Sequence, residues 1–562
     1  MTPWWERFPE RLEYELEALR KASIQFDEPI RDDHTGVLSL EVRMEFRGEQ
    51  LRFRVEFPPF FPYVRFEIFA PELDLAHHQH PFSKNLCLLA RSTTNWDMDD
   101  TVVGILTSQF PTLIQTVEEQ DREAVAGMEA QQPEPFSEYY TYEKNSIVFV
   151  DSDWNIAPSI LRGSLQLAMD SAAPFRGSLI QIEDDQKNEI AAAKWFTDES
   201  RIIKGRWVRS DKEIRFASPE EILKVLKEID RRLDEPRWKT AFGKEIDVIG
   251  VLYPEETAWR TTGNGWLFVV RQLRPGNVRG FRNNFAFDTF LVRAGRAGRS
   301  YLSARVPELA AVQEKRIVLI GCGALGGPIA LECARSGAAS LKLMDSDFVE
   351  PGNSVRWPLG FSAAGYFKAE ALEKFIKDNY PSVEIGSWPL RFGAPFSLSG
   401  PQLAQYDDFF KGANLIIDCT AEVGLHYPLS EFARENKISY IAISATPGLW
   451  GGRIFRFIPG VTEGCWVCLC NWLEEGRIPK PIGDPNGDIV PVGCAEPTFT
   501  GANYSALQIS SFGVRFAVDA LNQSPQFKFD LCNVAFKGER GLDILPSWTH
   551  YKIERHPKCD NH

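Results

Sequence analysis

The sequence contains no apolar run that approaches the roughly 20 residues of a membrane-spanning helix. Its opening, MTPWWERFPERLEYELEALR, is laced with acidic residues. It therefore has neither the apolar centre of a secretory signal nor the acid-poor composition of a transit peptide. We expect a cytoplasmic protein.

An excess of positive charge is also missing. The 63 Lys and Arg residues are outnumbered by 77 Asp and Glu residues, which gives a formal net charge of −14 at pH 7. Nucleic acids and anionic membranes are bound by cationic surfaces, so this balance argues against both as broad partners. We expect no nucleic acid and no membrane among the partners.

Cysteine is sparse, with ten residues in a chain of 562. Without a secretion signal, we interpret these as reduced thiols, metal ligands or nucleophiles and not as a disulfide framework. A chain of this length holds several domains. The order of apolar runs predicts a multidomain fold of α/β and α+β type, divided into residues 1–130, 131–300 and 301–562.

The most informative stretch predicts a strand, a glycine loop and the start of a helix. The apolar run RIVLI, residues 316–320, leads into Gly321, Gly323 and Gly326. These glycines permit a tight turn, the approach of a phosphate and close helix–strand packing, in that order. A second apolar run ends at Asp345, where a carboxylate can accept ribose hydroxyls. This order predicts a nucleotide site.

The glycine spacing does not choose the nucleotide, since dehydrogenases also use it. Asn353, Arg356, Lys368 and Asp418 follow at predicted strand ends that face one crevice. A dinucleotide needs few cations, whereas a reacting triphosphate needs Arg and Lys on its oxygens and a carboxylate for Mg²⁺. We therefore expect ATP and Mg²⁺ as cofactors.

This order of motifs resembles the ThiF/MoeB/E1 adenylation superfamily over about residues 299–562. The resemblance implies a Rossmann-like domain that activates a protein's C-terminal carboxylate as an acyl-adenylate, and it implies a homodimer. The ATP-binding residues that it implies are Gly321, Gly323, Gly326, Asp345, Asn353, Arg356, Lys368 and Asp418. Asp345 would bind the ribose, and Asp418 would sit with the metal. The family often has Asp-Asn after this last motif, but this chain has Ala421-Glu422.

The first 130 residues have the pattern of an α+β domain. Leucines at helical spacing within residues 4–21 predict a first helix, and period-two alternation within 36–69 predicts antiparallel strands, with RGEQ as a hairpin turn. A loop with Cys87 and a helical stretch over 101–120 follow. A cysteine in an LCLL setting is by itself more often a buried apolar residue than a nucleophile.

This order resembles the E2 ubiquitin-conjugating domain. The positions that carry the resemblance are Pro58, Pro59 and Pro62, then His80-Pro81, Cys87 and Trp96. By this resemblance, and with an E1-like domain in the same chain, Cys87 is a nucleophile that carries an acyl group. Phe82 replaces the family's asparagine, whose loss as an oxyanion donor costs a rate factor on the order of 10² to 10³. Asn85 is the nearest substitute.

Residues 131–300 contain strand-like runs and one helical stretch but no catalytic motif. We expect a folded α/β linker domain that spaces the two thiol-bearing domains or docks a protein substrate. In the adenylation superfamily an upstream arginine reaches the ATP of the partner subunit; the alternative is a solvated basic face. The candidates, among which the sequence does not choose, are Arg293, Arg296, Arg299 and Arg305.

A Cys-x-x-Cys pair and a Cys-x-x-His pair predict a structural zinc site. The ligands would be Cys465, Cys468, Cys559 and His562, whose spacing can supply a closed tetrahedral Cys₃His shell. The resemblance supports this prediction, because MoeB-like proteins carry Cys-x-x-Cys at both places.

Cys494 precedes a predicted long helix, at the thioester position of the adenylation superfamily. A cysteine near a helix N-terminus has a stabilised thiolate, which suits attack on an acyl-adenylate. The alternative is a buried loop cysteine, because some members of the superfamily form no thioester. We interpret Cys322, Cys333, Cys419 and Cys470 as packing residues.

An E2-like domain ahead of an E1-like domain resembles the fusion ligases of type II CBASS antiphage operons, the CD-NTase-associated protein 2 family. The resemblance implies thioesters at Cys494 and then Cys87, followed by conjugation to an amine. The substrate would be the C-terminus of a cGAS-like nucleotidyltransferase or of a ubiquitin-like protein. The alternatives are conjugation outside CBASS, E1-like activation for sulfur transfer, a non-catalytic scaffold and a Rossmann oxidoreductase. Sulfur transfer needs no second acyl carrier, so the E2-like domain argues against it.

Overall fold

The computed structural model describes residues 2–88, 96–119, 121–128, 132–193, 201–216, 218–274, 286–393, 400–489 and 498–561. The chain forms two compact units. The first extends to Arg296, apart from the short stretch Asp151–Asp153, and the second is built on Ala297–His562. Among the described residues, no helix is both long and apolar enough to cross a membrane.

The first unit begins with an antiparallel sheet covered by helices. Its elements are α1 (Trp4–Arg7), α2 (Pro9–Lys21), β1 (Gln25–Phe26), β2 (Ile30–Asp32), β3 (Val37–Phe46), β4 (Glu49–Phe57), β5 (Glu67–Phe69), α3 (Val102–Glu118) and α4 (Arg122–Val125). The sheet order is β1-β3-β4-β5, with β2 also on β3. Arg47 and Gly48 join β3 to β4 with φ of 54° and 85°. Two positive φ values in a two-residue loop make a type I′ turn, which matches the twist of a hairpin.

The core of this domain lies between the sheet and its helices. Alternate residues of β3 are buried, because successive side chains of a strand point to opposite faces. Leu12 and Leu19 of α2, together with Phe110 of α3, pack on Leu40 and Phe53 of the sheet. The helical and period-two patterns of the sequence therefore meet in one apolar layer.

The rest of the first unit is a nine-stranded sheet. Its elements are β6 (Tyr142–Val150), β7 (Arg162–Ala172), β8 (Phe175–Asp184), β9 (Glu189–Ala192), β10 (Ile202–Arg209), α5 (Pro219–Ile229), β11 (Lys239–Ala241), β12 (Lys244–Ala258), β13 (Thr261–Leu273) and β14 (Phe287–Arg296). The order is β10-β7-β8-β6-β14-β13-β12-β11, and β10 also pairs with β12. This additional pairing closes the sheet on itself.

A buried ion network lies at this closure. Asp247 on β12 accepts hydrogen bonds from Arg206 on β10, over 2.9 Å, and from Arg271 on β13, over 2.6 Å. All three side chains are buried. Asp247 therefore links the strands that flank β12 on both sides.

The second unit is a doubly wound α/β domain. Its elements are α6 (Arg299–Ser303), β15 (Arg316–Ile320), α7 (Gly326–Arg335), β16 (Ser340–Met344), α8 (Lys368–Asn379), β17 (Glu384–Trp388), α9 (Gly400–Phe410), β18 (Leu415–Asp418), α10 (Val423–Glu435), β19 (Ser439–Ala445), β20 (Gly451–Phe457), α11 (Trp466–Glu474), β21 (Asp488–Ile489), β22 (Thr498–Phe499), α12 (Asn503–Leu521), β23 (Leu531–Lys537) and β24 (Asp543–Tyr551). The order of its eight-stranded sheet is β17-β16-β15-β18-β19-β20-β23-β24.

This sheet places the predicted nucleotide residues at one edge. Strands β15 to β19 run parallel, and helices cover both faces of the sheet. The strand order reverses direction between β15 and β18, which is where open α/β sheets form a crevice at the carboxyl ends of their strands. The predicted Rossmann-like fold and the mixed α/β and α+β organisation are confirmed.

Candidate functional site

The loop after β15 has little room for side chains at two of its glycines. Gly321 has a φ of 85°, and a Cβ there would lie 2.7 Å from backbone atoms of Cys419. A Cβ at Gly326 would lie 1.8 Å from the carbonyl oxygen of Gly321. A Cβ at Gly323 would meet no atom within 4 Å. The loop is therefore packed against the sheet at 321 and 326 and open at 323, as expected for a surface that a phosphate approaches.

Asp345 braces this loop from the end of β16. Its Oδ2 accepts the N–H of Cys322 over 2.6 Å, and its Oδ1 accepts the N–H of Asp347 over 2.8 Å. Burial raises the pKa of Asp345, while Lys368 acts in the opposite direction. A carboxylate has about four lone-pair sites, so Asp345 retains acceptor capacity for a ribose hydroxyl.

Two cations lie near the crevice. The Nζ of Lys368, at the start of α8, is 2.8 Å from Oδ2 of Asp347. Arg356 donates to the carbonyl oxygen of Phe499 and lies over its ring, 5.0 Å from the centroid. Burial lowers the pKa of Arg356. Asn353 has a local role, since its Oδ1 accepts the N–H of Glu350 over 3.0 Å within a capping box.

The contact of Arg356 reaches the strand pair that flanks residues 490–497. Phe499 on β22 pairs with Asp488 on β21. Cys494, the predicted E1-type nucleophile, lies outside the described residues. Arg356 therefore connects the nucleotide crevice to the base of the segment that contains Cys494.

Asp418 is fully buried in a hydrogen-bonded cluster. Its Oδ1 accepts the hydroxyl of Thr420 over 2.8 Å, and its Oδ2 accepts the hydroxyl of Tyr440 over 2.8 Å. The Nδ1 of His426 lies 2.7 Å from the same Oδ2. Burial raises the pKa of Tyr440 well above its ordinary value, which keeps this hydroxyl a donor.

Sequence reasoning missed His426 and Tyr440. Tyr440 lies in an apolar strand, and His426 shares a helix face with Leu429 and Ala433. Neither position has a motif that distinguishes it from an ordinary core residue. The role of Asp418 as a metal ligand stays a prediction.

The upstream arginines have local partners where their side chains are described. Arg293 pairs with Glu138 over 3.0 Å, and Arg296 donates to the carbonyl oxygen of Thr257 over 2.8 Å. Both belong to the first unit. Arg305 donates to the hydroxyl of Tyr301 over 3.2 Å. The side chain of Arg299 lies outside the described part of the chain.

Three of the predicted zinc ligands come together. The thiol sulfurs of Cys465, Cys468 and Cys559 all lie within 4.8 Å of one another, and all three residues are buried. The N–H of His556 points at the sulfur of Cys468 over 3.2 Å. His562, the fourth predicted ligand, lies outside the described residues. Thiolates at this spacing fit three corners of a tetrahedral zinc shell.

Three other cysteines of this unit differ from the predicted zinc ligands. Cys322, Cys333 and Cys419 are buried in the core, and burial raises the pKa of each thiol. Raised thiol pKa values disfavour the reactive thiolate. These positions have the properties expected of packing residues.

Cys87 is exposed at the surface of the first unit. Its N–H donates to the carbonyl oxygen of His78 over 2.8 Å. Trp96 donates from its indole to the carbonyl oxygen of Pro62 over 2.9 Å, which anchors the chain at the residue where the described part resumes. An exposed thiol on a braced loop can accept and release an acyl group.

Phe82 and Asn85, the two positions discussed above for the E2 asparagine, make local contacts. Phe82 packs against Phe136, with ring centroids 5.6 Å apart. The side-chain N–H of Asn85 donates to Glu67 over 2.9 Å. One of the two N–H groups of this amide is therefore engaged in a structural contact, and the role of Asn85 as an oxyanion donor stays a prediction.

Two family models match separate parts of the chain. Residues 298–496 match the ThiF family, and residues 16–149 match the Prokaryotic E2 family B. The chain is 31% identical to the Uncharacterized protein y4oA of Sinorhizobium fredii, over 99% of this chain and 97% of that protein.

Two further relatives match part of the chain. The ATP-dependent ubiquitin transferase-like protein Cap2 of Enterobacter hormaechei is 29% identical over 36% of this chain and 32% of its own length. The Adenylyltransferase and sulfurtransferase UBA4 of Saccharomyces cerevisiae is 28% identical over 24% of this chain and 28% of its own length. The predicted E2–E1 organisation and enzyme class are confirmed. The chain belongs to the family of y4oA and is an E2–E1 fusion enzyme, with an E2-like transferase domain ahead of an E1-like adenylating domain.

Proposed function

We propose that this enzyme is an ATP-dependent ligase that activates the C-terminal carboxylate of a partner protein and transfers it through two cysteines to an amine. One observation carries the proposal: an E2-family domain with an exposed Cys87 precedes a ThiF-family crevice in the same chain. An adenylating enzyme that only releases its product has no use for the second domain.

The first step is adenylation at the crevice after β15. A carboxylate oxygen of the partner attacks the α-phosphorus of ATP, the bond to the β-phosphate oxygen breaks, and pyrophosphate leaves. The backbone around Gly323 would hold the phosphates, Asp345 the ribose, and Arg356 and Lys368 the negative charge that develops on the phosphate oxygens. Asn353 shapes the turn that carries Arg356. When bound, Mg²⁺ would neutralise phosphate charge. Asp418, its proposed ligand, is buried with both carboxylate oxygens in contact with Thr420, His426 and Tyr440, so it would have to release one of these contacts to bind the metal.

The second step forms a thioester on Cys494. Its thiolate attacks the acyl carbon of the acyl-adenylate, and AMP leaves with the bonding electrons. The contact between Arg356 and Phe499 supports this step, since it joins the crevice to the base of the segment that contains Cys494.

The last steps use the E2-like domain. The thiolate of Cys87 attacks the thioester carbonyl and releases the thiolate of Cys494. An amine then attacks the new thioester, forms an amide, loses a proton and releases Cys87. One covalent chain raises the effective concentration of the acceptor thiol.

We also propose a structural zinc ion on Cys465, Cys468, Cys559 and His562. Zinc supplies a closed tetrahedral shell without open position, and therefore fold stability and not chemistry. The three buried thiols within 4.8 Å of one another support it.

The proposed partner is a cGAS-like nucleotidyltransferase whose conjugation serves CBASS antiphage defence, and the enzyme is proposed to act as a homodimer. The partial likeness to Cap2 supports this assignment. A ubiquitin-like protein outside CBASS is the alternative partner. A nucleotidyltransferase gene next to the gene of this enzyme would favour the CBASS partner. A neighbouring gene for a small β-grasp protein would favour the ubiquitin-like partner.

Radiolabelled pyrophosphate exchange tests the adenylation step. The ligase should exchange label into ATP only when the partner's C-terminal peptide is present. Absence of exchange with the peptide would exclude carboxylate adenylation. Replacing Cys87 by Ser should trap the partner as a stable ester, which separates conjugation from sulfur transfer because sulfur transfer does not use Cys87.

A further inference from the structure

His78 anchors the backbone of Cys87. The N–H of Cys87 donates to the carbonyl oxygen of His78 over 2.8 Å, and the adjacent residues Gln79 and Leu86 form a β-bridge. His78 has a φ of 61°. A residue with a Cβ adopts this left-handed conformation only when its surroundings hold it there. The anchor of Cys87 therefore depends on whatever holds His78.

Glu134 holds His78 at two points. One carboxylate oxygen accepts the backbone N–H of His78 over 2.6 Å, and the other lies 3.1 Å from the imidazole Nδ1. Both side chains are largely buried, with 13% of His78 and 11% of Glu134 exposed. Burial by itself raises the pKa of Glu134, but the contacts with His78 outweigh it and lower that pKa below its ordinary value. The carboxylate is thus held ionised against His78.

The nine-stranded sheet supports Glu134 in turn. The N–H of Glu134 donates to the carboxylate of Glu256 on β12, over 3.0 Å. Arg260, which follows β12, donates to the carbonyl oxygens of Thr116 and Glu119 at the end of α3, over 2.6 Å and 2.7 Å. The same strand end therefore contacts both the Cys87 loop, through Glu134, and the helix behind it.

Aromatic contacts join the same two segments. The ring of His80 lies 4.6 Å from that of Tyr139, and Phe82 packs on Phe136. The turn at residues 132–140 thus meets the cysteine loop on both sides of Glu134. The contact with Phe136 is therefore a structural role for Phe82 at the position where E2 domains have asparagine.

We propose that Glu134 is a positioning residue for Cys87, which holds His78 in the left-handed conformation that anchors the nucleophile's backbone. Glu256 and the nine-stranded sheet fix Glu134 in place. The consequence for transfer rests on the proposed function: the anchored thiol meets the incoming acyl group at one place. The geometry itself does not depend on that function.

Hydrogen exchange of the full chain, without ATP or partner, tests the geometry. In Glu134→Ala the amide of Cys87 should exchange about tenfold faster or more, as expected for loss of a charge-assisted hydrogen bond that holds its anchor. Glu134→Gln retains a carbonyl acceptor for His78. The exchange rate of the Cys87 amide in this variant should lie between those of the wild-type chain and Glu134→Ala. Glu138→Ala is the matched control, because Glu138 lies in the same turn but pairs with Arg293.

A double-mutant cycle separates positioning from general destabilisation. Glycine adopts positive φ without strain, so His78→Gly removes the strain and the imidazole contact and keeps only the backbone N–H that donates to Glu134. Glu134→Ala should then have a clearly smaller effect on exchange in the His78→Gly background than in the wild-type chain. Unchanged exchange in Glu134→Ala, or a full additional effect in the double variant, would overturn the proposal.

Transfer kinetics give the functional readout. Single-turnover transfer to Cys87 should slow about tenfold in Glu134→Ala, with little change in the concentration of partner needed for half-maximal rate. If the wild-type chain forms no thioester at Cys87, the proposed function fails, while the exchange experiment still decides the positioning role. A wild-type transfer rate in Glu134→Ala would refute positioning even where the thioester forms.

Discussion

Replacing Gly323 by Ala should weaken ATP binding without weakening the fold. A Cβ at this position would meet no protein atom within 4 Å, and the backbone there needs no positive φ. The free energy of unfolding should therefore change by less than about 1 kcal/mol. In the ATP complex the new methyl group would occupy space that the phosphates need. Overpacking by one such group costs about 1–3 kcal/mol, which raises the ATP dissociation constant about 5- to 150-fold.

The assay combines calorimetric titration with ATP and thermal unfolding of the same preparation. Gly326→Ala is the contrasting variant, because its Cβ would lie 1.8 Å from the carbonyl oxygen of Gly321 and the backbone must shift. That variant should lose both ATP affinity and thermal stability. Gly127→Ala, equally open but in the first unit, should change neither. Normal ATP affinity in Gly323→Ala would refute the placement of the phosphates at this loop.

Three further predictions concern stability. Asp247→Asn leaves two buried guanidinium groups without their carboxylate and should lower the free energy of unfolding by about 3–5 kcal/mol in urea titrations. Asp288→Asn, at an exposed pair with Arg274, should cost less than about 1 kcal/mol. Burial raises the pKa of Glu15 from 4.5 to about 7. Its protonated form therefore favours the folded state, a contribution that is complete below pH 4.5 and lost as pH rises through 7. Glu15→Gln should flatten the dependence of Tm on pH across that window. If the proposed zinc site is occupied, atomic absorption should find about one zinc ion per wild-type chain, and Cys559→Ser should lower both that zinc content and Tm.

The parts of the fold that could be predicted from sequence are those with local signals. Between residue 316 and Asp345, the β-branched run 316–320 indicates a strand, and the glycines after it indicate a loop that leads into a helix. Each element therefore has its own local signal in the sequence. The hairpin at Arg47 and Gly48 likewise follows from a turn between two alternating runs. The recognised E2–E1 organisation rests on such short, spaced motifs, and the family matches confirm it.

The parts that could not be predicted depend on pairings between distant residues. The apolar run within β12 predicts a strand but carries no information that it pairs with β10 and closes the sheet. The burial of Asp418 against His426 and Tyr440 is hidden for the same reason, since each residue looks ordinary in its own element. Glu134, 56 residues from its partner His78, has no motif at all. The roles assigned to individual site residues remain predictions.

The most direct test of the central claim is a search for a thiol-sensitive adduct on Cys87. The purified full chain is incubated with ATP, Mg²⁺ and the proposed partner, a cGAS-like nucleotidyltransferase, and the products are separated with and without a thiol reducing agent. The account predicts a covalent adduct that reducing agent removes from the wild-type chain and that becomes resistant in Cys87→Ser. If peptide mapping finds no adduct on residue 87 in either the wild-type chain or Cys87→Ser while pyrophosphate exchange proceeds, the account is contradicted.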